Sequence, residues 1–177
     1  MRRYGARQAE RRVGALKRLF GRDRGALRPL YDAVVAEARR PDWYRAAGVP
    51  DTIDGRFDMV ALVLSLVLLC LERDGESGKL PSVLLTELFV DDMDGTMREI
   101  GFGDLVVGKR IGGLMGALGG RLGAYREGDR RAALVRNLFR GVEPTPAALD
   151  TAEAMAAAFE ARLAGLSLEA VVAGGIA

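Results

Sequence analysis

Asp54–Arg73 reads DGRFDMVALVLSLVLLCLER, and from Met59 to Leu71 the only polar side chain is Ser65. Thirteen such residues are too few to cross a membrane, which takes about twenty, and charges close both ends. A helix that is apolar on nearly every side is a buried one. The stretch therefore predicts a central helix around which the rest of the chain packs, with Asp51 or Asp54 expected as its N-cap.

Outward toward the N-terminus, Leu27–Arg40 carries Leu27, Leu30, Tyr31, Val34, Val35 and Ala38 at helical spacing and ends in basic residues before Pro41. Pro41–Gly48 reads as a short helical turn, with Trp43 and Tyr44 expected as core anchors. Toward the C-terminus, Asp74–Gly78 reads as an exposed turn, and Pro81 as the start of a helix over Ser82–Ile100. In that helix Glu87, Asp91, Asp94 and Arg98 fall on one face. Leu84, Leu85, Leu88, Phe89, Met93, Met97 and Ile100 fall on the other. Gly101–Gly103 ends it, and Asp104 is placed to cap the next.

Leu105–Tyr125 is unusual. Gly108, Gly112, Gly116 and Gly120 recur every four residues, with Gly113, Gly119 and Gly123 beside them. Each helical glycine costs about 0.5–1 kcal/mol, so a glycine face needs a compensating contact. Tight packing against the central helix is the plainer expectation. The alternative is a shallow groove at Gly112 and Gly116 that accepts a helix of another protein, as small-residue faces do in membranes. Arg130–Arg140 reads as a basic helix. Thr145-Pro146 has the form of an N-cap followed by a first-turn proline, opening Ala147–Leu163. Ser167 starts a last short helix that frays at Gly174-Gly175. No repeat and no alternating strand pattern appears. The expectation is all-α: a compact, single-domain helical bundle around a buried central helix, over residues 25–177.

Residues 1–24 form a basic arm. Positions 1–40 hold twelve Arg or Lys against four Asp or Glu, +8, while the remainder holds fourteen against twenty, −6. Val13, Leu16, Leu19 and Phe20 make one helical stripe flanked by cations. Arg2, Arg3, Arg7, Arg11, Arg12, Lys17 and Arg18 are thus candidates for an anionic surface: RNA, a ribosome or phospholipid. A solvated terminal helix is the plainer reading. Glu10 and Asp23 speak against a mitochondrial presequence, and no apolar stretch of a secretory signal follows the basic start.

With 177 residues the chain has room for one core. Cys70 is its one cysteine, inside the apolar run, and is expected to be buried and inert. Histidine is absent, which removes the commonest general base and metal ligand. No catalytic residue, metal, cofactor or small-molecule substrate is expected.

The most charge-structured segment is Leu88–Arg110, LFVDDMDGTMREIGFGDLVVGKR. Read as a calcium loop with Gly95 at the turn, it lacks ligands where Val90 and Gly101 stand. Gly103–Lys109 matches a phosphate-loop pattern until Arg110 replaces the required Ser or Thr. Acid–base work would need one carboxyl desolvated and its neighbour in a different environment. The spacing of the carboxylates fits a solvated helix face, with Asp94 and Arg98 placed to pair.

Val49-Pro-Asp-Thr-Ile-Asp-Gly-Arg-Phe-Asp58, Leu88-Phe-Val-Asp-Asp-Met-Asp94, Arg98-Glu-Ile-Gly101, Gly103-Asp104 and Val107-Gly-Lys-Arg110 resemble, in order and spacing, the signature blocks of the ubiquinol–cytochrome c chaperone family. The similarity runs from about Tyr31 to Asn137. The resemblance implies an assembly chaperone for the cytochrome bc1 complex, respiratory complex III, that binds newly made cytochrome b, with a possible small partner subunit. Carried over by motif, the candidate client or partner contacts are Arg56, Asp91, Asp92, Asp94, Arg98, Glu99, Asp104, Lys109 and Arg110. Ion pairing between helices is the competing role for these charges. The Ala/Arg-rich composition looks bacterial, so the expected location is the cytoplasm with visits to the inner-membrane face, or the mitochondrial matrix in a eukaryote. An RNA- or ribosome-binding regulator acting through the arm is the alternative. A small enzyme using Lys109 beside the carboxylates is a third reading.

Overall fold

Thr52 starts the central helix. It is extended, with φ −120° and ψ 168°, and its hydroxyl accepts the Gly55 N–H at 3.0 Å. The expected caps are displaced: Asp54 lies in the first turn, and Asp51 instead binds Arg56 at 2.6 Å. The helix that follows, here α3, spans Ile53–Glu72, and its residues from Asp58 to Leu71 are buried except Leu69. Ser65 resolves its own burial by donating to the Ala61 carbonyl at 2.6 Å. Cys70 is buried, as its position in the run implied.

The computed structural model describes residues 24–99 and 104–176; for Arg24, 97–99, 104–112, 114 and 115 it describes the backbone alone. A 3₁₀ turn, Arg24–Leu27, leads into α1, Arg28–Ala38, followed by α2, Pro41–Arg45. After α3 come α4, Glu76–Glu99; α5, Asp104–Glu127; α6, Arg130–Asn137; α7, Pro146–Ala164; and α8, Leu168–Val172. Among the described residues there is no strand, and the architecture is the all-helical single domain that the periodicities imply. Helix α3 packs against α1, α4, α5 and α7, which makes it the hub of the core.

Three local expectations need correction. Helix α4 begins at Glu76, so Pro81 lies inside it and the turn shrinks to residues 73–75. Gly75 turns the chain with φ +57°. Gly78 then presses on the end of α3, where an added Cβ would stand 1.9 Å from the Leu71 carbonyl oxygen. That approach sets the early start and outweighs the proline's missing N–H. Helix α6 stops at Asn137, because Arg140 and Gly141 take φ +54° and +77°, which no right-handed helix accommodates. The C-terminus does not fray at Gly174-Gly175: Gly174 (φ +85°) lies against the Pro29 carbonyl, and Ile176 is buried.

The other starts follow local chemistry. Thr145 caps α7 through the Ala148 N–H with Pro146 behind it, and Ser167 caps α8 through the Ala170 N–H. Trp43 is fully enclosed, whereas Tyr44 is half-buried, its ring on the core and its hydroxyl bonded to the Ala38 carbonyl.

Candidate functional site

Helix α4 carries the acidic group as its periodicity demands. Leu84, Leu85 and Phe89 face the core, Asp91 is exposed, and Glu87 and Asp94 are half-buried at the margin. Asp92 accepts a 2.7 Å hydrogen bond from the Tyr31 hydroxyl, tying α4 to α1. Burial of the Tyr31 ring and the adjacent carboxylate both push its phenol pKa well above the ordinary value, so the hydroxyl remains a donor. Asp92 is therefore engaged in holding two helices together.

Arg56 is exposed and pairs with Asp51. It lines a cleft with Arg39, Tyr44 and Arg45, apart from the acidic residues of α4. The backbone of Arg98 and Glu99 belongs to α4, and that of Asp104, Lys109, Arg110 and Gly112 to α5. Their side chains lie outside the described residues, as do Arg2, Arg3, Arg7, Arg11, Arg12, Lys17 and Arg18. The enzyme reading through Lys109 also falls outside them.

The glycine face does not do what close packing requires. Helix α5 meets the core through Leu118, Arg121 and Tyr125. Gly113, Gly116 and Gly120 lie on the opposite side of the helix, all exposed, and a Cβ added to any of them would meet no atom within 4 Å. Packing against the central helix is thus excluded for these three. The reason is that Leu118 and Tyr125 lie on the other face of α5 and take the buried position. Beside α5, an apolar groove of about 680 Å3 runs between α3, α4 and α5, lined by Leu68, Val83 and Leu122 with Glu72 and Glu87 among the polar residues.

The polar centre of the fold is a cluster that the sequence reading did not single out. Asp58 is fully buried at the start of the apolar run. Arg121 of α5 reaches its Oδ1 at 2.5 Å, and Arg140, after α6, reaches its Oδ2 at 2.6 Å. Arg140 also meets Asp54 at 3.1 Å, and the Arg121 guanidinium lies 5.4 Å from the centroid of the Phe57 ring. Burial pushes the Asp58 carboxyl above the usual aspartate range, against the downward pull of Arg140 and Arg121. A second buried carboxylate, Glu37, is held by Arg40 and Arg162. Asp58 was legible in principle, since an ionisable group at the head of a wholly buried helix needs a buried partner. Its partners, 63 and 82 positions away, were not.

This arrangement stitches α3, α5 and the loop after α6. The family model for the ubiquinol–cytochrome c chaperone matches residues 45–177. The chain belongs to that family. The match begins later than the motifs alone implied and includes α7 and α8. Among solved structures, the crystal structure of the Cbp3 homolog from Brucella abortus is similar, with a TM-score of 0.72 and 31% sequence identity over 89% of this chain and 92% of that one. Curated proteins yield no match. At the level of the family, the role is that of a chaperone in ubiquinol–cytochrome c reductase assembly. Among the described residues, no helix is long and apolar enough to cross a membrane.

Proposed function

We propose that the chain holds newly made cytochrome b during assembly of the bc1 complex, and that the solvent-facing glycine side of α5 receives an apolar helix of that client. The observation that carries the reading is the open face at Gly113, Gly116 and Gly120. Glycines there destabilise the helix by about 0.5–1 kcal/mol each and receive no packing in return among the described residues. A second helix laid on that face gains close backbone approach, the contact small residues permit in membranes. The neighbouring groove at Leu68, Val83 and Leu122 offers apolar surface for an adjoining client segment.

Site-specific photo-crosslinkers at Gly116 and Gly120, with a control at exposed Ala154 of α7, test the reading in the source membranes. Adducts with cytochrome b from α5 and none from α7 are expected. Cytochrome b captured equally from both positions, or from neither, overturns the assignment. Crosslinks from the arm to ribosomal RNA, with no cytochrome b at α5, move the function to residues 1–24 and the regulator reading.

A further inference from the structure

Three arginines from three elements meet at a cleft of about 340 Å3 lined by Arg39, Pro41, Tyr44, Arg45, Asp51 and Arg56. Arg39 follows the last turn of α1, Arg45 closes α2, and Arg56 lies in the first turns of α3. The Tyr44 hydroxyl donates to the Ala38 carbonyl at 2.9 Å, which fixes the ring between them and leaves the phenol oxygen as an acceptor.

The charges in this cleft do not balance. Asp51 is its one carboxylate, and Arg56 binds it at 2.6 Å. Arg39 and Arg45 have no side-chain hydrogen bond or ion pair among the described residues, while the adjoining Arg40 is engaged by Glu37 and Asp42. Three cations against one anion leave two positive charges without a counter-charge. Burial pushes the Tyr44 phenol up and Asp51 adds to that push, while Arg56 and Arg39 pull it down, which places both cations and the carboxylate within electrostatic reach of the ring. Planar guanidinium forks match phosphate oxygens in geometry, and a phosphomonoester carries close to two negative charges near neutral pH.

The surroundings bear on where such a group comes from. Ile53, 76% exposed, precedes Arg56 by three positions, and Val142, 72% exposed, lines the next cleft with Pro50 and Thr52. Apolar side chains standing out beside a basic cleft are what a surface resting on anionic headgroups presents.

We propose that this cleft binds one phosphate-class dianion, as free phosphate or as the phosphomonoester headgroup of an anionic lipid, through Arg39, Arg45 and Arg56. The site stands independently of client binding on α5.

The test uses the full chain at constant ionic strength. Inorganic phosphate is titrated by calorimetry into the wild type and R45Q, with R136Q as a control that loses the same charge from an exposed position on α6. Saturable one-to-one binding is expected, weakened about tenfold in R45Q and unchanged in R136Q. R39Q repeats the loss, and thermal unfolding of each variant confirms the fold. Co-sedimentation with phosphatidylcholine vesicles, with and without phosphatidic acid, separates the sources. Loss of sedimentation in R45Q and its reversal by free phosphate assign the headgroup. Equal sedimentation of R45Q and R136Q, with the calorimetric loss intact, assigns free phosphate. Absence of saturable phosphate binding, or equal titrations of R45Q and R136Q, overturns the proposal. So does a loss of RNA binding in R45Q without any loss of phosphate binding.

Discussion

Arg140 Nε lies 2.6 Å from Asp58 Oδ2, across 82 positions of the chain, and it does so from a left-handed backbone at φ +54°. A non-glycine residue in that region costs about 1 kcal/mol or more. The ion pair, with Arg121 on the other oxygen, offsets that cost and fixes the loop after α6 onto the start of α3. Asp58→Ala leaves Arg121, only 12% exposed, without its counter-charge. The expected loss is about 3–5 kcal/mol, read as a lower urea midpoint at unchanged slope. A loss below about 1 kcal/mol would mean that Arg121 re-partners or reaches water.

Gly78 and Gly116 are predicted to respond oppositely to alanine. At Gly78 the new Cβ meets a backbone carbonyl at 1.9 Å, so α3 and α4 must part, and a loss of at least about 2 kcal/mol is expected. At Gly116 it meets nothing, and the helix gains about 0.5–1 kcal/mol. Thermal unfolding of the two variants settles the contrast. A stabilised G78A would show that the two helices separate at little cost.

Thr52→Ala removes the side chain that caps α3, for an expected loss of about 1 kcal/mol. Asp54→Ala removes no cap and should cost less. Chemical denaturation of both variants distinguishes the capping residues, and a loss at Asp54 that exceeds both the loss at Thr52 and the worth of its exposed ion pair with Arg140, at most about 1 kcal/mol, would restore the carboxylate as the cap.

Alkaline pH should unfold the protein through its buried phenols. Burial raises Tyr125 to about 12, and burial with Asp92 raises Tyr31 further. Both values lie above the unfolded reference near 10, so the folded state binds more protons between the two. The stability these groups contribute is complete below about pH 10 and is lost as pH rises through about 12. Tyrosinate absorbance should therefore rise in step with loss of helical circular dichroism. Ionisation of all four tyrosines well below the unfolding transition would contradict the enclosure of Tyr31 and Tyr125.

What the sequence determined by itself is the set of helices and the identity of the buried one. Met59–Leu71 has no polar face to offer water, so its place at the centre follows from composition alone. Thr145-Pro146 marks a helix start because its chemistry is local, and the ordered blocks from Val49 to Arg110 sufficed to point to the family. Tertiary structure decided whatever depends on a neighbour distant in sequence. Thr52 displaced two acidic candidates, and α4 starts five residues before Pro81 because Gly78 can touch the Leu71 carbonyl. The glycine face of α5 stayed open because Leu118, Arg121 and Tyr125 took the core side. Asp58 met Arg121 and Arg140 only once three elements had docked. Periodicity reports which side of a helix is apolar. Which partner that side meets, and which charges are enclosed with it, is set by packing between segments that the order of residues does not bring together.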